Sequence, residues 1–275
     1  NTLWQPENRM PQQYFAGRGL SRRTMNRFGL GYAPDSFHAL LDAMTAKGYT
    51  RDELLDAGLV SRSEKGHIYD RFRNRVMFPI IDVRGSVIGF GGRVLGDEKP
   101  KYLNSPDTPV FKKTKNLFAL NFAKNSKEQR LILVEGNVDV ITLHQAGFTN
   151  TVATLGTALT DDQARLIAGY AKEVVVAYDS DSAGRKATTR AFSFFDELGV
   201  KVRVLNIPGA KDPDEYIKKF GAQRFKMLLD ESASVTDYKL TEIAQKNDVS
   251  TPSGKVGYLK EAASVLADIR SPVER

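Results

Sequence analysis

Between residues 131 and 206 of this 275-residue chain, short β-branched apolar runs alternate with stretches of helical periodicity. The runs cover 131–135, about 151–155, 173–178 and 200–206. They are too short for helices and apolar on both faces, as strands buried on both sides are. The helical patterns between and after them fall near 138–146, 160–171, 183–198 and 213–230. A strand–helix series of this kind closes into a mainly parallel sheet with right-handed crossovers, flanked by helices. The C-terminal ends of such strands share one edge, and in open α/β sheets ligands bind there.

What stands at those ends is acidic. Glu135 and Asp139 follow the first run in EGNVDV, one helical turn apart. Asp179 and Asp181 follow Val174-Val175-Val176-Ala177-Tyr178 in DSDSAGRKA, and Gly184 allows close packing of helix on sheet. Asp212 and Asp214 flank Pro213 in PGAKDPDEY, at a helix start. Each motif alone has a capping explanation, because acidic residues oppose the helix dipole and proline suits the first helical turn. Three of them on one sheet edge form a carboxylate cluster that repels itself and needs a cation. Short hard carboxylates suit Mg²⁺, and the metals would in turn hold an anionic substrate.

Charge distribution points to that substrate. Residues 1–130 hold 22 Lys and Arg against 13 Asp and Glu, and residues 131–275 hold 18 against 20. A polyanion on the first half would present its reactive phosphate to the second; a solvated basic surface is the alternative. The basic stretch carries Arg71, Arg73, Arg75, Arg93, Lys101, Lys112, Lys113 and Lys115, with aromatic residues between them. Tyr102 lies in a polar loop, so it is a better base-stacking residue than Phe78 or Phe90 on their apolar strands. Arg18, between glycines before a helix, is either a phosphate contact or an ordinary surface residue.

The first 70 residues read as mostly helical. A helix is expected from Ser36 to Lys47, and another opens with a Thr50/Glu53 capping box. VMFPIIDVRGSVIGFGGRVL reads as two strands joined at Val83-Arg84-Gly85-Ser86, with Gly89, Gly91 and Gly92 marking a bulge or a close approach. KYLNSPDTPVFKKTKNLFAL reads as a loop. Two helices, about 234–246 and 254–269, end the chain. The absence of cysteine and the scatter of His38, His67 and His144 exclude disulfides and thiolate zinc sites. No GxxxxGK[ST], GxSxG or HExxH string occurs. No run approaches the ~20 apolar residues of a membrane span. With no initiator Met and no signal-like segment, the chain reads as a piece of a longer cytoplasmic protein.

These motifs together resemble the Toprim family of nucleotidyl-transfer and DNA-cleaving enzymes. Within it, YDRFRNRVMFPIIDVRGSVIGFGGRVL (69–95), PKYLNSPDTPVF (100–111) and GRGLSRRTMNRFGLGYAP (17–34) resemble the catalytic core of bacterial DnaG-type DNA primases. The resemblance implies a basic mixed α/β subdomain (1–115), a Toprim sheet (116–231) and a short helical bundle (232–275). It places Glu135, Asp139, Asp179, Asp181, Asp212 and Asp214 at the metal site, with Glu135, Asp179 and Asp181 catalytic and two or more Mg²⁺ or Mn²⁺ as cofactors. Arg18, Arg71, Arg73, Arg93, Lys101, Tyr102, Asn104 and Lys113 fall on the nucleotide and nucleic-acid side. The implied function is synthesis of short RNA primers at the replication fork. The implied ligands are a single-stranded DNA template and ribonucleoside triphosphates, and the basic groove also admits regulatory nucleotides such as (p)ppGpp. The family's zinc-binding and helicase-binding domains are expected to be absent, so the replicative helicase would be met through a missing domain. Asn137 stands where the family often has an aromatic residue. Two rivals remain at this point: a topoisomerase-like or nuclease activity with the same metals, and a non-catalytic single-strand-binding module.

Overall fold

The structure, a computed structural model, describes residues 2–267. A 3₁₀ turn at Thr2–Trp4 opens it, followed by α1 (Arg9–Gly17), α2 (Arg22–Arg27), β1 (Gly31–Ala33), α3 (Ala39–Thr45) and α4 (Arg51–Asp56). The expected capping box starts α4: the Thr50 side chain accepts from the Glu53 amide, and Glu53 Oε2 accepts from the Thr50 amide at 2.7 Å. Strands β2 (Val60–Arg62) and β3 (Ile68–Asp70) make a separate two-stranded sheet. The hairpin consists of β4 (Arg75–Ile81) and β5 (Val87–Val94). Its turn is closed by Asp82, whose Oδ1 accepts from the amides of Arg84 and Ser86 at 2.9 Å each, an Asx-type turn.

Three expectations for this half need correction. The first 70 residues hold three strands among their helices. The helix expected from Ser36 begins at Ala39, because Ser36 Oγ accepts from the His38 and Ala39 amides in a turn that precedes it. The loop after the hairpin contains β6 (Tyr102–Asn104), so the first sheet has four strands in the order β1-β4-β5-β6. These three-residue strands are set by pairing with β4 and β5 rather than by their own composition. The bulge expected beside these glycines is present, and the space kept open at Gly91 is used by neighbouring side chains of the chain itself. The ladder shifts register between Ile80 and Ile81, and a side chain at Gly91 would press on Asn104 and Asn137.

After α5 (Leu120–Ala123) comes the alternating series: β7 (Arg130–Val134), α6 (Asn137–Gln145), β8 (Thr151–Ala153), α7 (Asp161–Ala168), β9 (Glu173–Val176), α8 (Ser182–Glu197), β10 (Lys201–Val204) and α9 (Pro213–Asp230). Helix α9 breaks at Gly221, whose φ is 82°. The short β11 (Ala233–Ser234), α10 (Val235–Lys246) and α11 (Pro252–Ala267) end the described chain. The second sheet runs β11-β10-β9-β7-β8, parallel except for β11. The chain leaves β7 toward β8 on one side and returns to β9 on the other. The switch point therefore lies between β7 and β9, and the crevice beyond their C-terminal ends is the place for a ligand.

Both faces of this sheet are buried, as the apolar runs require. Leu131 and Leu133 of β7 and Val174 and Val176 of β9 face one cluster with Ile167 of α7 and Phe195 of α8. Ile132, Val134 and Val175 face the other, which continues into Phe15, Val76, Phe78 and Ile80 of the first half. One core thus joins the antiparallel sheet to the parallel one. That junction fixes the basic strands β5 and β6 beside the acidic edge.

Candidate active site

Glu135 leaves β7 directly, and Asp179 lies three residues past β9. They meet across the switch point, where Glu135 Oε1 accepts from the Asp179 amide at 3.2 Å. Gly184 makes this possible. A Cβ there would overlap the Asp179 carbonyl and crowd Glu135 Oε1, so only glycine lets α8 start this close to the sheet. Asp139 sits in the first turn of α6, 9% exposed, and accepts from the Asp214 amide at 3.3 Å. Asp181 and Asp212 cap α8 and α9: Asp181 Oδ1 accepts from Ala183 and Gly184 at 2.9 and 2.8 Å, and Asp212 Oδ1 from Glu215 at 2.7 Å. The capping reading is therefore true of both, yet Asp181 keeps a second carboxylate oxygen, and that of Asp212 lies 3.8 Å from Lys211 Nζ.

The electrostatics are those of carboxylates short of a counter-charge. Burial, and then Asp212, Asp179 and Asp214, push Asp139 up to about 8. Burial, then Glu135, Asp212 and Asp181, push Asp179 up to about 6, against the pull of Lys211. Burial also raises Glu135, with Asp181 adding to it and the Asp179 amide opposing. Burial and like charges raise carboxylate pKa values, and a crowded cluster of this kind is a functional-site candidate. An all-oxygen donor set of this kind fits Mg²⁺ or Mn²⁺. Among the described residues the side chains do not close into a ready cage around one point.

Asp214 differs from the other five. It is 4% exposed, and both its oxygens are engaged. Oδ1 accepts from Thr142 Oγ1 at 2.7 Å; Oδ2 meets Lys218 Nζ at 2.6 Å and Arg18 Nη1 at 3.1 Å. The last contact joins residues 196 apart in sequence and ties the basic half to the acidic edge.

Beside Arg18 lie Arg93 and Tyr102, paired across β5 and β6. The Arg93 side chain also hydrogen-bonds Tyr102, a half-exposed residue. Arg93 has no carboxylate partner among the described residues, and its Nε is buried with nothing to donate to. Lys101 is exposed next to Tyr102, and Lys113 is half-buried at the end of the same loop. Asn104 donates to the Leu155 carbonyl at 2.7 Å and so clips β6 to the loop after β8. Arg71 donates to the Asn104 carbonyl at 3.1 Å and its Nε is a second buried orphan. Arg73 turns elsewhere: it donates to the Asp70 carbonyl at 2.6 Å and lies over Phe37 and Tyr69, 4.6 and 5.1 Å from their ring centres. Arg75 is buried against the carbonyls of Gly92, Pro100 and Lys101, a structural placement.

Thr142 and Lys218 escaped sequence reasoning. Lys218 carries a local signal, four residues after Asp214 on one helix face. Thr142 is an ordinary helix residue until α9 packs over it.

Three family models match successive parts of the chain. They are the DNA primase catalytic core N-terminal domain over residues 1–124, a Toprim-like domain over 132–217 and the DnaB-helicase binding domain of primase over 236–275. The last match overturns the expectation that the helicase-binding part is missing. Residues beyond 267 lie outside the described structure; the described part of that stretch falls on α10 and α11 and holds no sequence motif to read. A DNA primase from Clostridium acetobutylicum is 47% identical over 269 residues, covering 98% of this chain and 45% of that protein. The chain thus spans about half the length of the curated relatives it matches. A DnaG primase catalytic domain bound to ssDNA superposes with a TM-score of 0.83 at 36% identity, covering 99% of this chain and 89% of that one. The RNA polymerase domain of Mycobacterium tuberculosis primase DnaG, in complex with a double-stranded DNA oligomer with a 6-nucleotide overhang, gives 0.90 at 28%, covering 99% and 88%.

Proposed function

The chain belongs to the family of DnaG-type DNA primase catalytic cores, and from that premise we propose that it is a DNA-dependent RNA polymerase making short primers on single-stranded DNA. One observation carries the reading: an acidic sheet edge short of positive charge lies against a basic cluster short of negative charge. A divalent cation and a nucleoside triphosphate would complete both. Glu135, Asp139, Asp179, Asp181 and Asp212 would hold two or more Mg²⁺ or Mn²⁺. Bound there, such ions neutralise charge on the transferring phosphoryl group and ease deprotonation of the attacking hydroxyl.

The chain's own residues do the positioning. Arg93, Arg18, Lys101 and Lys113 bind the triphosphate through charge-assisted hydrogen bonds. Tyr102 offers its exposed ring to a base. Asp214 anchors Arg18 instead of turning to the acidic crevice. Glu135, on the strand end and raised by burial, is the carboxylate best placed to take a proton from the hydroxyl. Arg71 and Asn104, joined through the Asn104 carbonyl, would meet the template strand, whereas Arg73 is turned away toward Phe37 and Tyr69. Helices α10 and α11 belong to the segment that would meet the replicative helicase, and (p)ppGpp would compete for the triphosphate cluster. Among the described residues no helix is long and apolar enough to cross a membrane; the place of work is the replication fork in the cytoplasm.

The test is primer synthesis on single-stranded DNA with ribonucleotides and Mg²⁺ or Mn²⁺. Metal-dependent RNA products from the intact chain, and a severe loss of them in Asp179→Asn, are expected. Relaxation or nicking of supercoiled plasmid without RNA synthesis would replace this reading with the cleavage one.

A further inference from the structure

Tyr14 has no role in the site described above, yet two of its arginines rest on it. Tyr14 lies on α1, one turn before Arg18, and the Arg18 guanidinium sits 5.7 Å from its ring centre. Arg93 arrives from β5 and lies over the same ring at 4.6 Å. The ring itself packs edge-on against Phe15, which is fully buried in the shared core, at 5.5 Å. The Tyr14 hydroxyl is buried without a hydrogen-bond partner, as is Arg93 Nε. Buried polar groups are normally satisfied, so two orphans in one cluster mark a place shaped for something further.

The two guanidinium groups are not alike. Arg18 is neutralised by Asp214 at 3.1 Å. Arg93 has only its neighbour's carbonyl, the Tyr102 side chain and the Tyr14 ring. Two cations brought together would repel, and each lacks an apolar wall unless something flat and electron-rich supports them. An aromatic face does this: it attracts both cations and takes up none of the donors that face outward.

We propose that Tyr14 is a positioning residue, its ring the shared platform that holds Arg18 and Arg93 ready for the phosphates of an incoming nucleotide. This rests on the triphosphate reading of the cluster. The π face, not the hydroxyl, is the working part, because the hydroxyl touches neither arginine in any hydrogen bond of the structure. Tyr14 acts through the arginines, so it governs nucleotide affinity and leaves the chemical step alone.

The experiment measures two quantities in the full chain: metal-free binding of inorganic tripolyphosphate by titration calorimetry, and the nucleotide KM and kcat of primer synthesis. Tyr14→Leu should weaken tripolyphosphate binding and raise KM by about fivefold, the scale of a partly exposed cation–π contact, with kcat within about twofold. Tyr14→Phe keeps the ring and should match the unaltered chain. Replacement of Tyr14 by pentafluorophenylalanine keeps the shape and reverses the ring quadrupole, so it should behave as Tyr14→Leu even if the leucine variant folds poorly. Unchanged affinity in the pentafluoro protein, or equal damage in Tyr14→Phe, would overturn the platform. A fall in kcat at constant KM would overturn it too. If the unaltered chain binds tripolyphosphate but makes no primers, the polymerase reading fails while the binding arm still decides the role of Tyr14.

Discussion

The acidic edge after β7, β9 and β10 and the basic face of β5 and β6 solve opposite electrostatic problems by different means. On the acidic edge, helix N-termini do part of the work: Asp181 and Asp212 each commit one oxygen to backbone amides, and burial, with the neighbouring carboxylates, raises the pKa values of Asp139 and Asp179. On the basic face no such retreat exists, because a guanidinium does not lose its proton. There aromatic rings and backbone carbonyls carry the arginines, and Nε atoms are left over on Arg71 and Arg93. The acidic side carries its crowding as raised pKa values and the basic side as unfilled hydrogen bonds. Among the described residues, the contact of Arg18 with Asp214 is the one that lets the two sides neutralise each other directly.

The sharpest way to break this contrast is on the acidic side. Asp179→Asn should lower primer synthesis by about 10²–10³-fold, the usual loss when a charge-stabilising group is removed from a reacting centre, with an unchanged circular dichroism spectrum. Normal turnover would remove Asp179 from the metal site. On the basic side Arg93→Ala should raise nucleotide KM by about 10–100-fold, the weight of a charged hydrogen bond or two. An unmoved KM in steady-state kinetics would show that its orphan donor faces no ligand.

Gly184→Ala tests how the acidic edge is assembled. Its Cβ would force the Asp179 carbonyl away from α8. The overpacking should cost about 1–3 kcal/mol, a fall of roughly 3–10 °C in thermal melting. A melting point equal to the unaltered chain would mean that the turn relaxes freely.

The smallest effect concerns pH. Asp139 and Asp179 have folded-state pKa values raised above the unfolded range near ~4. Their contribution to stability is therefore complete below about pH 4 and is lost as pH rises through about 6 for Asp179 and about 8 for Asp139. In chelator, the melting temperature should drift downward between those limits; Mg²⁺ should cancel the drift by favouring the ionised forms. Asp139→Asn should flatten the upper part. A melting curve insensitive to pH over this range, or unmoved by Mg²⁺, would contradict the picture of carboxylates lacking a cation.

How much of this was legible beforehand varies with range along the chain. The strands at β7 and β9, the helices after them, the Thr50/Glu53 box and the acidic motifs were all readable, because strand alternation, helix periodicity and capping act within about five residues. Strands β1, β2, β3 and β6 were not, since a three-residue strand is made by its partner. The helical segment 236–275 could be read as helices, but not for what it contacts. Asp214 looked like its neighbours Asp212 and Asp181 in spacing, and only packing shows that its two oxygens are taken by Thr142, Lys218 and Arg18.

By itself, then, the sequence determined that a parallel sheet with acidic strand ends would form and that a basic, glycine-rich antiparallel sheet would precede it. Apolar periodicity and short-range hydrogen bonding suffice for that. Tertiary structure decided the rest: that β7 lies between β8 and β9, that one core welds the two sheets, and that Tyr14 and Arg18 reach Arg93 and Asp214. Periodicity encodes which face of an element must be covered, but not which element covers it. That choice is made by the mutual fit of surfaces far apart in the chain.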